Sequence, residues 1–177
     1  MAFIIETGSG EDAGANSYAS VAAFKAYWSD RGFDFSVYSP DVKFERALIA
    51  ATDYIEMRFG RFFRGRRLNP EYPTMQPLSW PRYAYYCGAL VEGLPDVLVR
   101  ATIEYARRAL ELPTGLSPDP SGYDKTGQLI SESSKKVAAI EVRTKFEAGS
   151  GFVIRQYPTV DAWLSDLLAY PAQVIRN

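Results

Sequence analysis

From Phe44 to Ile55 the apolar residues Phe44, Leu48, Ala51 and Ile55 fall every three or four positions. That spacing lays one stripe along an amphipathic helix, which must bury it against a neighbour. Ser39 followed by Pro40 predicts the start of this helix, because proline fits the first helical position, and Gly60 its end. A shorter helix is predicted before it, capped by Ser20, running from Val21 to about Arg31 and stopped by a left-handed Gly32. Pro95 opens a third helix, with Leu98, Ala101, Tyr105, Ala109 and Leu112 facing inward and Pro113 ending it. Pro158 opens a fourth, with Val160, Trp163, Leu164, Leu167 and Leu168 on one side and Pro171 as its limit.

Between these helices the pattern changes. Phe3 to Ile5 reads as a short extended piece, and the glycines after it predict a flexible segment over about 6–16. Residues 61–93 are interrupted by Pro70, Pro73, Pro77 and Pro81 and read as a long ordered loop arm, a kind of segment that in a compact domain usually serves binding. A second arm, 114–127, is rich in glycine and proline and is expected to be mobile. Lys136 to Phe146 and Phe152 to Tyr157 flank the glycine-rich Glu147 to Gly151 and predict a β-hairpin over 136–157. There is no internal repeat. The sum is a mainly α (α+β) fold in one domain over 1–177, a small bundle of three to four helices with an added β-hairpin and long loop arms.

Composition refines this picture little, except in its aromatics. A chain of 177 residues, 47% hydrophobic and 23% charged, is an ordinary globular protein able to support its own core. The aromatic share, 14%, is high; most rings are expected in the core, and the remainder suit contacts with a partner. No run nears the roughly 20 apolar residues that span a bilayer, so no membrane partner is expected.

Chemistry is narrowed by what is missing. The sequence contains no histidine and a single cysteine, Cys87. Ser–His and Cys–His catalysis and the usual zinc sites are therefore closed to it. Carboxylate pairs one or two turns apart, such as Asp53 with Glu56 and Glu104 with Glu111, are the ordinary furniture of solvated helix faces. Gly8-Ser9-Gly10 lacks the lysine and spacing of a phosphate loop. No enzymatic activity, cofactor or metal is expected.

The clearest charge feature is Arg58, Arg61, Arg64, Arg66 and Arg67, interleaved with Phe59, Phe62 and Phe63. Arginines beside exposed rings grip single-stranded nucleic acid, with charge on phosphate and bases on the rings. The same residues can instead pair with carboxylates while the phenylalanines fill the core. A net charge of −1 favours the second reading. A third reading has some of these arginines lining a channel through which DNA passes unread.

Several strings taken in order carry a family resemblance. They are Asn16-Ser17-Tyr18, Arg31-Gly32, the run Ala47 to Ile55, Gly65-Arg66-Arg67, Leu78-Ser79-Trp80-Pro81-Arg82 and Leu94-Pro95. Ser131-Glu132 with Lys136-Val137, Ile140-Glu141-Val142, and Tyr157-Pro158-Thr159-Val160-Asp161 continue the series. Together, over roughly Ile5 to Leu168, they resemble a family of tailed-phage and prophage proteins labelled DnaT-like single-stranded-DNA-binding proteins, encoded in the head–tail morphogenesis region. Two positions depart from it: Ala138 stands where a glycine is usual, and Tyr83, Tyr85 and Tyr86 stand where the family tends to be acidic.

The resemblance implies a virion structural protein, a connector (adaptor) subunit in the neck between head and tail, assembled in the host cytoplasm. Its implied partners are copies of itself in a ring, expected to be a dodecamer, the portal protein, a tail-side neck, stopper or terminator protein, and genomic DNA passing without sequence readout. Arg58, Arg61, Arg64, Arg66 and Arg67 are then the expected contacts to partner or DNA. Trp80, Pro81 and Arg82 are expected to anchor the long loop by burying the indole and tethering the guanidinium. The alternative is a DnaT-like protein that binds single-stranded DNA in replication.

Overall fold

The structure, a computed structural model, describes residues 2–71, 76–86, 89–112, 116, 132–137, 140–145 and 156–169. Its contacts gather into two units, Met1–Leu116 with Gln156–Asn177, and Ser117–Arg155.

Helix α1, Val21–Ser29, starts at the predicted cap: the Ser20 hydroxyl accepts from the Ala23 N–H at 3.0 Å. Gly32 follows its end at φ +69°, the left-handed backbone that glycine enters without steric cost. Helix α2, Val42–Phe59, begins two residues later than the proline signal predicts. The Pro40 carbonyl accepts from the Lys43 N–H, so Pro40 sits in the turn leading into the helix, behind a cis Ser39–Pro40 bond. Phe44, Leu48, Ala51 and Ile55 are all buried, and the helix packs chiefly on α3, Asp96–Glu111.

On α3 the buried set is wider than one stripe. Leu98, Ala101 and Tyr105 are buried as expected, Ala109 and Leu112 only partly, and Thr102, Ile103 and Ala106 join the core. The reason is that α3 touches α1 and α2 as well as α4, Pro158–Ser165, so neighbours cover several of its faces. The Thr102 hydroxyl is satisfied there by donating to the Leu98 carbonyl at 2.9 Å. Helix α4 starts at its proline as predicted; Val160 and Leu164 are buried on it, and Leu167 and Leu168 just beyond its end.

The proline-rich arm is where sequence and structure differ most. Residues 61–93 contain a three-stranded antiparallel sheet, β1 (Arg66–Arg67), β2 (Arg82–Tyr86) and β3 (Ala89–Val91), in the order β1-β2-β3. All four prolines fall between β1 and β2, so none removes a ladder hydrogen bond. Gly65, at φ +76°, permits the first pairing: a side chain there would collide with the Tyr83 carbonyl.

The glycine-rich stretch 6–16, expected to be flexible, folds into a tied loop. The Glu6 N–H donates to the Ser17 carbonyl at 2.9 Å, and the Asn16 side chain joins the Ile4 N–H to the Ala2 carbonyl. Of the second arm, 114–127, only Leu116 lies among the described residues.

In the other unit the hairpin pairs β4 (Glu132–Val137) with β5 (Ile140–Lys145), in the register Val137↔Ile140. The predicted turn at 147–151 lies outside the described residues, and the hairpin stands N-terminal to the predicted place. Strand β4 is mostly polar, Glu-Ser-Ser-Lys-Lys-Val, and a hydrophobic pattern cannot flag it.

Candidate nucleic-acid interface

A buried polar frame fixes the sheet to the helices. Glu56, near the end of α2, accepts from the Tyr18 hydroxyl with one oxygen and from Ser79 N–H (3.2 Å) and Ser79 Oγ (2.6 Å) with the other. The Tyr18 oxygen in turn accepts from the Trp80 N–H at 3.2 Å. Burial first, and then the charge of Glu56, holds the Tyr18 hydroxyl well above its ordinary ionisation range, so it stays a donor. Gly60 belongs to this frame, since a Cβ there would stand 2.9 Å from Ser79 Oγ and 3.1 Å from Glu56 Oε2.

Trp80, Pro81 and Arg82 continue it. The Trp80 indole is fully buried against Phe63, ring centroids 5.9 Å apart. The Pro81 carbonyl accepts from the Leu68 N–H and from Gln76 Nε2. The Arg82 guanidinium donates to the carbonyls of Arg64, Ser79 and Gly65 at 2.9, 3.1 and 2.6 Å. Sequence reasoning does not find Gln76, which is buried, bonds three backbone groups and closes the loop between β1 and β2. A lone glutamine between prolines gives no periodic signal.

The five arginines divide. Arg58 is a joint inside the fold: its Nη1 lies 2.7 Å from Asp161 Oδ2 and 2.7 Å from the Tyr54 hydroxyl, linking α2 to α4. Asp161 also accepts from the Tyr105 hydroxyl and the Tyr157 N–H. Burial pushes the Tyr54 phenol in this cluster up to about 12. Arg64 is also committed, donating through Nε and Nη2 to the Leu168 carbonyl and reaching the Tyr85 carbonyl with Nη1.

Arg61, Arg66 and Arg67 are not. Among the described residues they form no ion pair. Arg61 lies over Phe62 at 4.6 Å and Arg66 over Tyr83 at 5.3 Å. Burial, and next the neighbouring charge of Arg67, lowers the Arg82 guanidinium from its ordinary value, against the opposing pull of Tyr18 and Glu56.

Two of the three interleaved phenylalanines, Phe59 and Phe63, are core residues; Phe62 is 42% exposed. The more exposed rings come from β2. Successive strand residues face opposite ways, so Ala84 points inward at 2% exposure while Tyr83 and Tyr85 point out at 47% and 65%. Arg66 pairs with Tyr83 and Leu90 with Tyr85 in the sheet register. Directly opposed residues share a face, which places Arg66, Tyr83, Tyr85 and Leu90 on one outer surface. The alternation Arg-Tyr-Ala-Tyr-Tyr was the signal available in the sequence. Tyr83 and Tyr85 lie roughly 7 Å apart along the strand, about twice the rise between stacked bases. Such a face suits an extended strand of nucleotides with its bases separated.

Among the described residues no group of three or more His, Cys, Asp or Glu could hold a metal ion, and no helix is long and apolar enough to cross a membrane. Comparison with known proteins gives one finding. A family model described as "Putative DnaT-like ssDNA binding protein" matches residues 1–177. No curated protein and no solved structure matches the chain. Since the match spans the whole chain, the protein belongs to that family.

Proposed function

We propose that this member of the DnaT-like family binds single-stranded DNA, without enzymatic activity, on the outer face of its three-stranded sheet. The observation that carries the reading is the surface of Tyr83 and Tyr85 beside Arg66, which among the described residues forms no ion pair. Bases stack on the two rings and Arg66 contacts phosphate, an arrangement that tolerates any sequence. The even balance of 20 basic and 21 acidic residues restricts the attraction to this patch rather than the whole surface.

The test is fluorescence anisotropy with a labelled oligo-dT at two salt concentrations. Binding is expected to weaken with salt, and the double variant Tyr83→Ala, Tyr85→Ala to lose about 100-fold in affinity, with stacking on each ring worth about 1–3 kcal/mol. No binding, or binding indifferent to the double variant, overturns the reading.

A second reading is the connector subunit, a dodecameric ring in the virion neck holding portal and tail-side proteins around the genome. It rests on the sequence resemblance, and it would put the exposed apolar residues Val37, Val42 and Met57, at 69%, 46% and 54% exposure, in contacts between copies. Sedimentation of the purified protein with and without portal tests it. A monomer at high concentration that ignores portal removes it.

A further inference from the structure

Beside Tyr83 the sheet surface opens into a groove of about 250 Å³, walled by Leu68, Pro81, Leu90 and Val91, with Tyr83 and Glu92 also lining it. It is smaller than the roughly 300–1,000 Å³ of pockets that take drug-sized ligands, and so suits a single ring system. Its walls are apolar. The polar side chain opposite in charge to the rest of the face is Glu92. Ala84 pairs with Val91, and Glu92, the next residue beyond β3, lines the groove together with Tyr83.

Glu92 is exposed and, among the described residues, forms no hydrogen bond or ion pair, although Arg82 lines the same groove. The Arg82 guanidinium is spent on three backbone carbonyls. An unpaired carboxylate on a face that meets phosphates is repulsive to the backbone of the ligand. It becomes favourable only if the ligand brings N–H donors to it. In an unpaired strand the Watson–Crick edges of the bases are free to do this.

We propose that this groove holds one guanine base of the bound strand, stacked against Tyr83 and read by Glu92; the proposal rests on the single-stranded-DNA reading above. Guanine alone presents two adjacent donors, N1–H and the N2 amino group, matching the two carboxylate oxygens in the bidentate geometry that makes such bonds strong. Cytosine and adenine offer one amino group. Thymine offers N3–H between two carbonyls that face the carboxylate unfavourably. The expected order is guanine, then cytosine and adenine, then thymine.

The experiment compares labelled oligo-dT with the same oligomer carrying one central dG, dI, dC or dA. The dG strand is expected to bind about tenfold tighter than oligo-dT, the scale of one good bidentate base contact. The dI strand, lacking the amino group, should fall between them. Glu92→Gln should abolish the dG advantage while leaving oligo-dT affinity unchanged or slightly better, with circular dichroism confirming the fold. If oligo-dT binds and dG confers nothing, or the dG advantage survives Glu92→Gln, guanine readout by this groove is wrong and the stacking face stands. If no oligomer binds, both readings fall together.

Discussion

Arg58 and Arg66 carry the same guanidinium, and each lies beside a tyrosine, yet the fold treats them oppositely. Around Arg58 the helices supply the Asp161 carboxylate and the Tyr54 hydroxyl, and Asp161 is itself held by the Tyr105 hydroxyl and the Tyr157 N–H, so the guanidinium is paired and largely removed from water. Around Arg66 the sheet supplies one aromatic ring and, among the described residues, no ion-pair partner. The difference teaches that an arginine-rich run is not one functional unit. A helix end packed on two other helices turns its charges into structure, and a two-residue strand at a sheet edge leaves them for a ligand.

The comparison can be broken from either side. The largest effect is expected from Trp80→Ala, which empties a fully buried site between helix and sheet and should lower unfolding free energy by about 4 kcal/mol, read by urea titration. A loss below 1 kcal/mol would mean the frame under the sheet is not held by the indole. Asp161→Ala should cost about 3 kcal/mol, because it strands Arg58, only 17% exposed, without its partner. DNA affinity measured on the still-folded fraction should not change.

On the exposed side the pattern inverts. Tyr85→Ala should leave the melting temperature within error and reduce oligo-dT affinity about tenfold. A variant that melts early without losing affinity would move Tyr85 from the binding face into the frame. Arg66→Ala is subtler: its signature is a fall of about 0.7 in the slope of log affinity against log salt, one phosphate contact fewer.

The Glu6 loop abuts the sheet, bringing Gly8 against Gly93 and Gly10 against Gln76 and Pro81. Burial first raises the Glu6 carboxyl above the usual 4.5, with the charge of Asp12 adding to this, against the lowering effect of the Gly8 and Gly10 N–H groups. The folded state thus holds this proton more tightly than the unfolded chain, and the contribution is full below pH 4.5 and is lost as pH rises through the raised value. Glu6→Gln cannot titrate. The melting temperature of the native protein relative to this variant should therefore decline from pH 4.5 towards neutrality, and a flat difference would show that Glu6 is not strained by burial.

How far the sequence carries depends on the range of the interaction. The stripe Phe44, Leu48, Ala51, Ile55, the Ser20 cap, the Gly32 stop and the proline starts of α3 and α4 are local, set by the helical period and by backbone sterics within a few residues, and they are legible. The start of α2 at Val42 rather than at Pro40 is a finer matter of the turn before it. The sheet is not legible from the four prolines, because what matters is where they fall relative to strands that only long-range pairing defines.

The sequence by itself determined a bundle of three to four helices, the apolar stripe of α2, the absence of histidine chemistry and the presence of an arginine and aromatic segment, since each follows from residue type and short spacing. Only the tertiary structure decided which arginines are neutralised and which rings stay in water. Asp161 reaches Arg58 from more than a hundred positions away, and the outward face of Tyr83 and Tyr85 exists only once β2 lies between β1 and β3. Charge compensation and burial depend on neighbours in space, and those are set by chain folding rather than by adjacency.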